Sequence, residues 1–355
     1  MSDNGVRRKR SVRLLVIGCL AAVTVASATG WLSTNHASAA ETARNDSTIT
    51  IAIPGSTATQ DVPLLAAKKG YFAQLGLDVK VVILPTSQAL PAVASGQVQF
   101  VESAEPSASI IDWSSTYAAE HTKPVKLLGY WQPTAGGISV VGAPGINKVS
   151  DFKGKTLAVT TPGGASAILL NLVLSRVGHL KSQDVKIVAL GTLSAEVAAF
   201  NAGRIQGMIG TEPLTSQLLA GTPGAKVVAD EGKYRWILGG IFGYMPWVKS
   251  HPAQTMRVLA AINQALADYH SSPDDAKAVI GAASSITDQT LLDIAYNSAI
   301  PFITTKAEPI PEAAMRAVLH AMKTNGTPAA DPNRWKEEVD TIYVKAAANF
   351  KFKFK

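Results

Sequence analysis

Two of the Glu-Pro steps in this 355-residue chain, Glu105-Pro106 and Glu212-Pro213, stand 107 residues apart. Proline suits the first position of a helix, so each glutamate falls in a turn leading into one. A carboxylate in that place complements the positive end of the helix dipole. Turned instead towards a cleft, with Glu102 and Ser103 beside it, it repels a free oxyanion and favours an ammonium, an amidine or a ring N–H. Gly163-Gly164-Ala165-Ser166 offers the opposite chemistry. Glycines allow close backbone approach, and a helix starting there presents unpaired N–H groups and positive potential to a sulfonate, carboxylate or other oxyanion. Ser56, Thr57 and Gln60 bring hydroxyl and amide groups to a similar turn, where they either cap a helix or donate to a ligand oxygen. A zwitterion such as an aminosulfonate, or an amino-substituted heterocycle, reconciles the two kinds of turn.

Nothing in the chain assembles a catalytic set. His36, His121, His179, His251, His270 and His320 show no metal-ligand spacing, and no Gly-x-Ser-x-Gly nucleophile motif is present. Cys19 is the single cysteine, which excludes disulfide scaffolds, cysteine zinc sites and iron–sulfur clusters. The residues therefore give no expectation of a cofactor or a metal.

These turns belong to an internal repeat. DVKVVIL (Asp78–Leu84) recurs as DVKIVAL (Asp184–Leu190) 106 residues later, and GQVQFVESAEP (Gly96–Pro106) recurs as GRIQGMIGTEP (Gly203–Pro213) 107 later. TIAIPGSTA (Thr50–Ala58) has a looser counterpart in TLAVTTPGGASA (Thr156–Ala167). Each unit reads strand, turn, helix, strand, helix, strand, helix, a period too long for a solenoid. In the first unit Pro91 interrupts the second helix, Ser87–Ser95. Strands alternating with helices at this spacing predict two similar α/β lobes with parallel-rich, helix-covered sheets, and a ligand held at the carboxyl ends of the strands. Lys226–Ala229 and Trp236–Trp247 read as strands returning to the first lobe. The second lobe is thus inserted: residues 47–142 plus 238–355 form lobe I, and 143–237 form lobe II. From His251 onward the chain reads as helices over Pro252–Asp268, Thr287–Tyr296, Pro311–Lys323 and Asn333–Ala347. Tyr130, Trp131 and Trp236 fall near the crossings, where aromatic walls stack on flat solutes, although Trp131 suits core packing better.

The first 39 residues stand outside the fold. Basic RRKRSVR, the uncharged run Leu14–Leu32 and the small-residue site Ala37-Ser38-Ala39 have the order of a secretory signal peptide. Export to the periplasm or the cell exterior is the expectation, with membrane tethering the lesser alternative. Charge supports the division. The whole chain carries +7, and loss of Arg7, Arg8, Lys9, Arg10 and Arg13 with Asp3 leaves +3, all of it on Lys351, Lys353 and Lys355. The basic balance therefore gives no ground for a nucleic-acid partner. The terminal FKFKFK reads as a frayed end.

VPLLAAKKGYFAQLGLDVKVV (Val62–Val82) followed by ALPAVASGQVQF resembles the solute-binding proteins of nitrate/sulfonate/taurine-type ABC importers, as do VSDFKGKTLAV (Val149–Val159), GRIQGMIGTEP and WVKSHPAQTMRVLAAINQAL (Trp247–Leu266). The resemblance covers nearly the whole mature chain, in order. It implies a two-lobed type II periplasmic-binding-protein fold, a monomer that closes over a small sulfonate- or taurine-like or related nitrogen-containing solute and delivers it to a membrane permease. The alternatives are a binding protein for a thiamine pyrimidine precursor, or an enzyme on the same fold. The thiamine-pyrimidine synthases that resemble this family carry a cysteine/histidine cluster, which the mature chain lacks. The family commonly has Asp where this chain has Gln99 and Gln206, a departure that warns against assuming a familiar ligand.

Overall fold

Short β-branched runs, each stopped by glycine or proline and followed by an amphipathic helix, set the architecture. The computed structural model describes residues 48–53, 55, 57–103, 124–233, 236–324, 330–350 and 353–354. The expected leader, 1–39, lies outside them.

In the first half, β1 (Thr48–Ile53), α1 (Val62–Lys68), β2 (Asp78–Ile83), α2 (Thr86–Ala94), β3 (Phe100–Ser103) and β4 (Val125–Gln132) follow in order. The second half begins with β5 (Ile138–Gly142) and continues through β6 (Thr156–Val159), α3 (Ala165–Arg176), β7 (Lys186–Ala189), α4 (Leu193–Asn201), β8 (Gly207–Thr211), α5 (Leu214–Gly221) and β9 (Lys226–Asp230). The chain then returns through β10 (Leu238–Tyr244) to the helices α6 (Pro252–Ser271), α7 (Pro273–Ser284), α8 (Gln289–Ala299), α9 (Glu312–Thr324) and α10 (Ile342–Ala348).

Two five-stranded sheets result, ordered β2-β1-β3-β10-β4 and β7-β6-β8-β5-β9. In each, three strands of a β-α-β-α-β unit pair in parallel, and one antiparallel strand arrives from the other sheet. The chain crosses between sheets twice, after Gln132 and after Asp230. Two details of the sequence reading change. Ile138–Gly142 was assigned to lobe I, yet it pairs with β8 and β9 in the second sheet. Lys226–Asp230 likewise stays in the second sheet, and only β10 returns. An isolated apolar strand carries no signal for which of two similar sheets it will join.

Elsewhere, α2 runs through Pro91 over its nine residues, so the proline removes one backbone bond without ending the helix. Pro273–Ser284 was not anticipated, although Pro273 with Asp274 and Asp275 in the first turn is a good helix start. Asn333–Ala347 is a 3-10 turn, Pro332–Glu337, followed separately by α10. The tail expected to fray docks in part, since the Phe354 ring meets Tyr71 edge-on at 4.8 Å.

Gln99 and Gln206 have matching structural duties. Gln99 Oε1 accepts from Thr50 N–H at 2.9 Å, and Gln206 Oε1 accepts from Thr156 N–H at 3.2 Å. Each side-chain amide also donates to a glycine carbonyl three residues back, Gly96 or Gly203. Both therefore tie the entering ends of their strands, opposite the ends that lead into the ligand turns. Their departure from the family's Asp carries no information about the ligand, contrary to the warning drawn from sequence.

The core holds carboxylates as well as apolar side chains. Ile51, Leu65, Phe100, Leu128, Trp131 and Tyr269 are fully buried against the first sheet, and Phe152, Leu157, Leu169 and Val173 against the second. Glu196 and Glu231 are equally buried, and neither has a hydrogen-bond partner for its carboxylate oxygens. Burial raises each from an ordinary 4.5 to about 8, helped at Glu231 by the neighbouring Asp230. Such an acid keeps in the folded chain a proton that the unfolded chain releases above about 4.5. Its contribution is therefore lost as pH rises from there towards about 8, by roughly 1.4 kcal/mol per pH unit per group. Thermal melts should show a lower Tm at pH 8 than at pH 5, and Glu196→Gln should narrow that gap. A Tm that is flat or rises over this range contradicts the assignment.

Among the described residues no helix is long and apolar enough to cross a membrane.

Candidate functional site

The site lies where strands of both sheets run out into helix-leading turns. A cavity of ≈ 440 Å³ opens there. The first-sheet side contributes the turn after β1 (Gly55, Thr57, Thr59, Gln60), Ile83 and Pro85 after β2, Gln132 at the end of β4, and Ala283–Ser285 of the helical layer. The second-sheet side contributes Thr160, Ala165 and Ser166 after β6, Gly191–Ser194 after β7, and Thr211, Glu212, Leu214 and Gln217 after β8. Gly136, Gly137, Ile138 and Leu238 close the cavity at the crossings.

The turn after β1 is held from within and from behind. Gln60 and Asp61 N–H groups both donate to Thr57 C=O, at 2.9 and 3.2 Å. Thr57 Oγ1 donates to Gln60 Oε1 at 3.1 Å, so these two side chains pair with each other and neither caps α1. Behind the turn, the buried Trp131 donates its indole N–H to Thr59 C=O at 3.1 Å. Trp131 is thus a core residue that also supports the site.

On the facing side, Gly163 takes a positive φ of 73° and Gly164 caps α3, yet neither borders the cavity. Ala165 and Ser166 do, although the Ser166 hydroxyl is engaged by Thr160 N–H at 3.3 Å and Thr160 Oγ1 at 3.0 Å. What the turn offers a ligand is therefore its helix N-terminus. The starts of α4, capped by Thr192, and of α5 face the same space. Three positive helix ends converge on it.

Charge in the cavity is sparse. Among the described lining residues there is no Lys, Arg or His, and Glu212 is the only ionisable side chain. Glu212 Oε2 accepts from Ser216 Oγ at 2.7 Å and Ser216 N–H at 3.3 Å. Burial raises its acid above the ordinary 4.5, against the pull of the two Ser216 bonds. Its backbone carbonyl accepts from Ala58 N–H at 2.9 Å, joining the two sides of the cleft directly. The arrangement is a mostly apolar chamber with donor-rich helix ends and, among the described residues, one acidic acceptor. Among the described residues no group of His, Cys, Asp and Glu could hold a metal.

Of the residues picked from sequence, Thr57, Gln60, Ala165, Ser166 and Glu212 border the cavity. Tyr130 does not. It is buried in β4, its backbone paired with Glu308, and burial followed by Glu308 raises its phenol. Trp236 is buried beside the crossing and does not reach the cavity either; its indole N–H has no partner. Ser56, Glu105 and the Ser103 side chain lie outside the described residues. Glu102 is fully buried, and burial followed by Asp61 raises it well above the usual carboxylate range against the opposing pull of the Gly240 backbone. Sequence reasoning missed Pro85 and the Gly191–Ser194 turn, although the repeat places a second turn after DVKVVIL and DVKIVAL alike. Gln132 had no signal, because it becomes a lining residue only where β4 meets the crossing.

Comparison with known proteins agrees with this architecture. The family model described as NMT1/THI5 like matches residues 62–276. The aliphatic sulphonate binding protein SsuA of Escherichia coli superposes with a TM-score of 0.66 at 16% identity, covering 87% of this chain and 96% of that one. The nitrate-binding protein NrtA of Synechocystis PCC 6803 gives 0.68 at 13% identity, covering 85% and 88%. A DszB variant in complex with biphenyl-2-sulfinic acid gives 0.62 at 14%, covering 85% and 99%. No curated protein matches the chain by sequence. A family match over well more than half the chain, on a doubly crossed pair of sheets, makes this protein a member of the NMT1/THI5-like family with the fold of the periplasmic solute-binding proteins.

Proposed function

We propose that this protein is the exported solute-binding component of an ABC importer, which captures a small molecule between two lobes and delivers it to a membrane permease. The observation that carries the reading is the cavity itself, lined from both sheets and bridged by the Ala58–Glu212 backbone bond. Ligand contacts made from both sides favour the closed population, which is how a binding protein signals occupancy to its partner. The moving bodies are the two sheets with their helices, hinged where the chain crosses between them, after Gln132 and after Asp230. The leader at 1–39 supplies export, and a monomer suffices because one chain provides both walls.

The solute is small and nitrogen-containing, either a taurine-like aminosulfonate or an amino-substituted heterocycle of the thiamine-pyrimidine kind. Helix N-termini without a cation suit an oxygen-bearing end, and Glu212 suits an N–H donor. A thermal-shift screen of the mature protein tests this with taurine, alkanesulfonates, nitrate, aminopyrimidines and small amines. A true solute at 100-fold its Kd adds about 2.7 kcal/mol of stability. The reading fails if none shifts the melt while one of them is turned over.

A further inference from the structure

Ala58 occupies an unusual position in the cleft. Its N–H donates across to Glu212 C=O at 2.9 Å, and its own C=O accepts from Tyr269 Oη at 2.6 Å. Tyr269 sits near the end of α6 in the helical layer behind the first sheet, fully buried, and is not one of the residues lining the cavity. No other backbone hydrogen bond among the described residues joins the two sides away from the crossings. The bonds on either side of the Ala58 Cα set the direction in which its N–H points, and that N–H meets a main-chain carbonyl rather than a ligand.

We propose that Tyr269, Ala58 and Glu212 form a latch that draws the lobes together before any solute arrives, with Tyr269 as its positioning residue. Tyr269 holds the peptide that follows the Ala58 Cα, and the Ala58 N–H before it engages the carbonyl of the residue whose carboxylate borders the cavity. The phenol serves as donor across the working pH range, because burial, then Asp61 and Tyr296, raise it well above its ordinary value. The latch uses no ligand atom, so it lowers the cost of closing for every solute alike. A solute that binds only the closed form has its apparent affinity scaled by the fraction already closed.

The inference rests on the solute-binding reading for the purpose of closure, but its test needs no ligand and so stands or fails separately. Small-angle scattering of the mature protein alone should require a closed fraction, and Tyr269→Phe should reduce the closed-to-open ratio about three- to tenfold, the value of one net hydrogen bond. Tyr296→Phe is the control. It removes a comparable buried bond, Tyr296 Oη to Tyr269 C=O at 2.7 Å, from the same cluster. Its melting temperature should fall while its scattering stays that of the wild type. A wild-type protein fully open without ligand, equal opening in both variants, or no opening in Tyr269→Phe each overturns the latch. Amide exchange at Ala58 in the unmodified protein gives a reading independent of any variant's folding. The latch requires slowed exchange there, and exchange at the free-peptide rate contradicts it.

Discussion

Glu212→Gln is expected to weaken binding of an ammonium- or amidine-bearing solute roughly tenfold to a hundredfold at pH 7, and to leave a simple oxyanion unaffected or bound more tightly. Glutamine keeps the length of the side chain and an acceptor for Ser216 Oγ and N–H, so the turn before α5 is preserved. What disappears is the only ionisable group among the described lining residues. A hydrogen bond to a charged partner is worth about 1.5–3 kcal/mol, and no other acid among the described lining residues replaces it. The pH profile supplies a second readout. Because burial raises the Glu212 acid above 4.5, affinity for a cationic solute should fall as pH drops through that raised value, since protonation removes the attracting charge. In Glu212→Gln this limb should be flat. Titration calorimetry over pH 4–8 settles it, and equal affinities in variant and wild type at pH 7 exclude the carboxylate from the ligand contact.

Trp131→Ala should produce the largest loss of stability, about 3–5 kcal/mol, as expected for truncating a fully buried tryptophan without room to collapse. The indole packs among the side chains behind the first sheet, and its backbone carbonyl accepts from Thr304 N–H at 2.7 Å. That backbone bond survives the substitution, so the loss reports packing together with the indole N–H. Trp131→Phe separates the two. It refills most of the space and should cost far less, but it leaves Thr59 C=O without its donor and so loosens the turn on the cavity. Denaturant unfolding measures the first effect, and amide exchange across 57–61 the second. A Trp131→Ala midpoint close to wild type contradicts the core role.

The duplicated segments made the outline of this molecule readable. Two β-α-β-α-β units spaced 106 and 107 residues apart are expected to form two sheets of the same order, and they do. Glycine also takes over where helices end: Gly70, Gly96 and Gly203 have positive φ because the chain must turn sharply out of a helix there. The paired glutamines were visible as a repeat but misread as a hint about the ligand. Residue type indicates what a side chain can bond to, and only the strand register shows that Gln99 meets Thr50 and Gln206 meets Thr156.

The site divides along the same line. Thr57, Gln60, Ala165, Ser166 and Glu212 were found because turns after strands and before helices have a local signature in Gly, Pro, Ser and Thr. Gln132, Tyr269 and the Ala58–Glu212 bridge have none, because each depends on segments far apart in the chain. By itself the sequence determined two α/β lobes and placed helix-leading turns at the strand ends, since periodicity, turn chemistry and composition are local properties. Tertiary structure alone decided which sheet β5 joins, which of the candidate residues face the cavity and how its two walls are fastened. Those outcomes rest on the packing and pairing of residues distant in sequence, which no local pattern encodes.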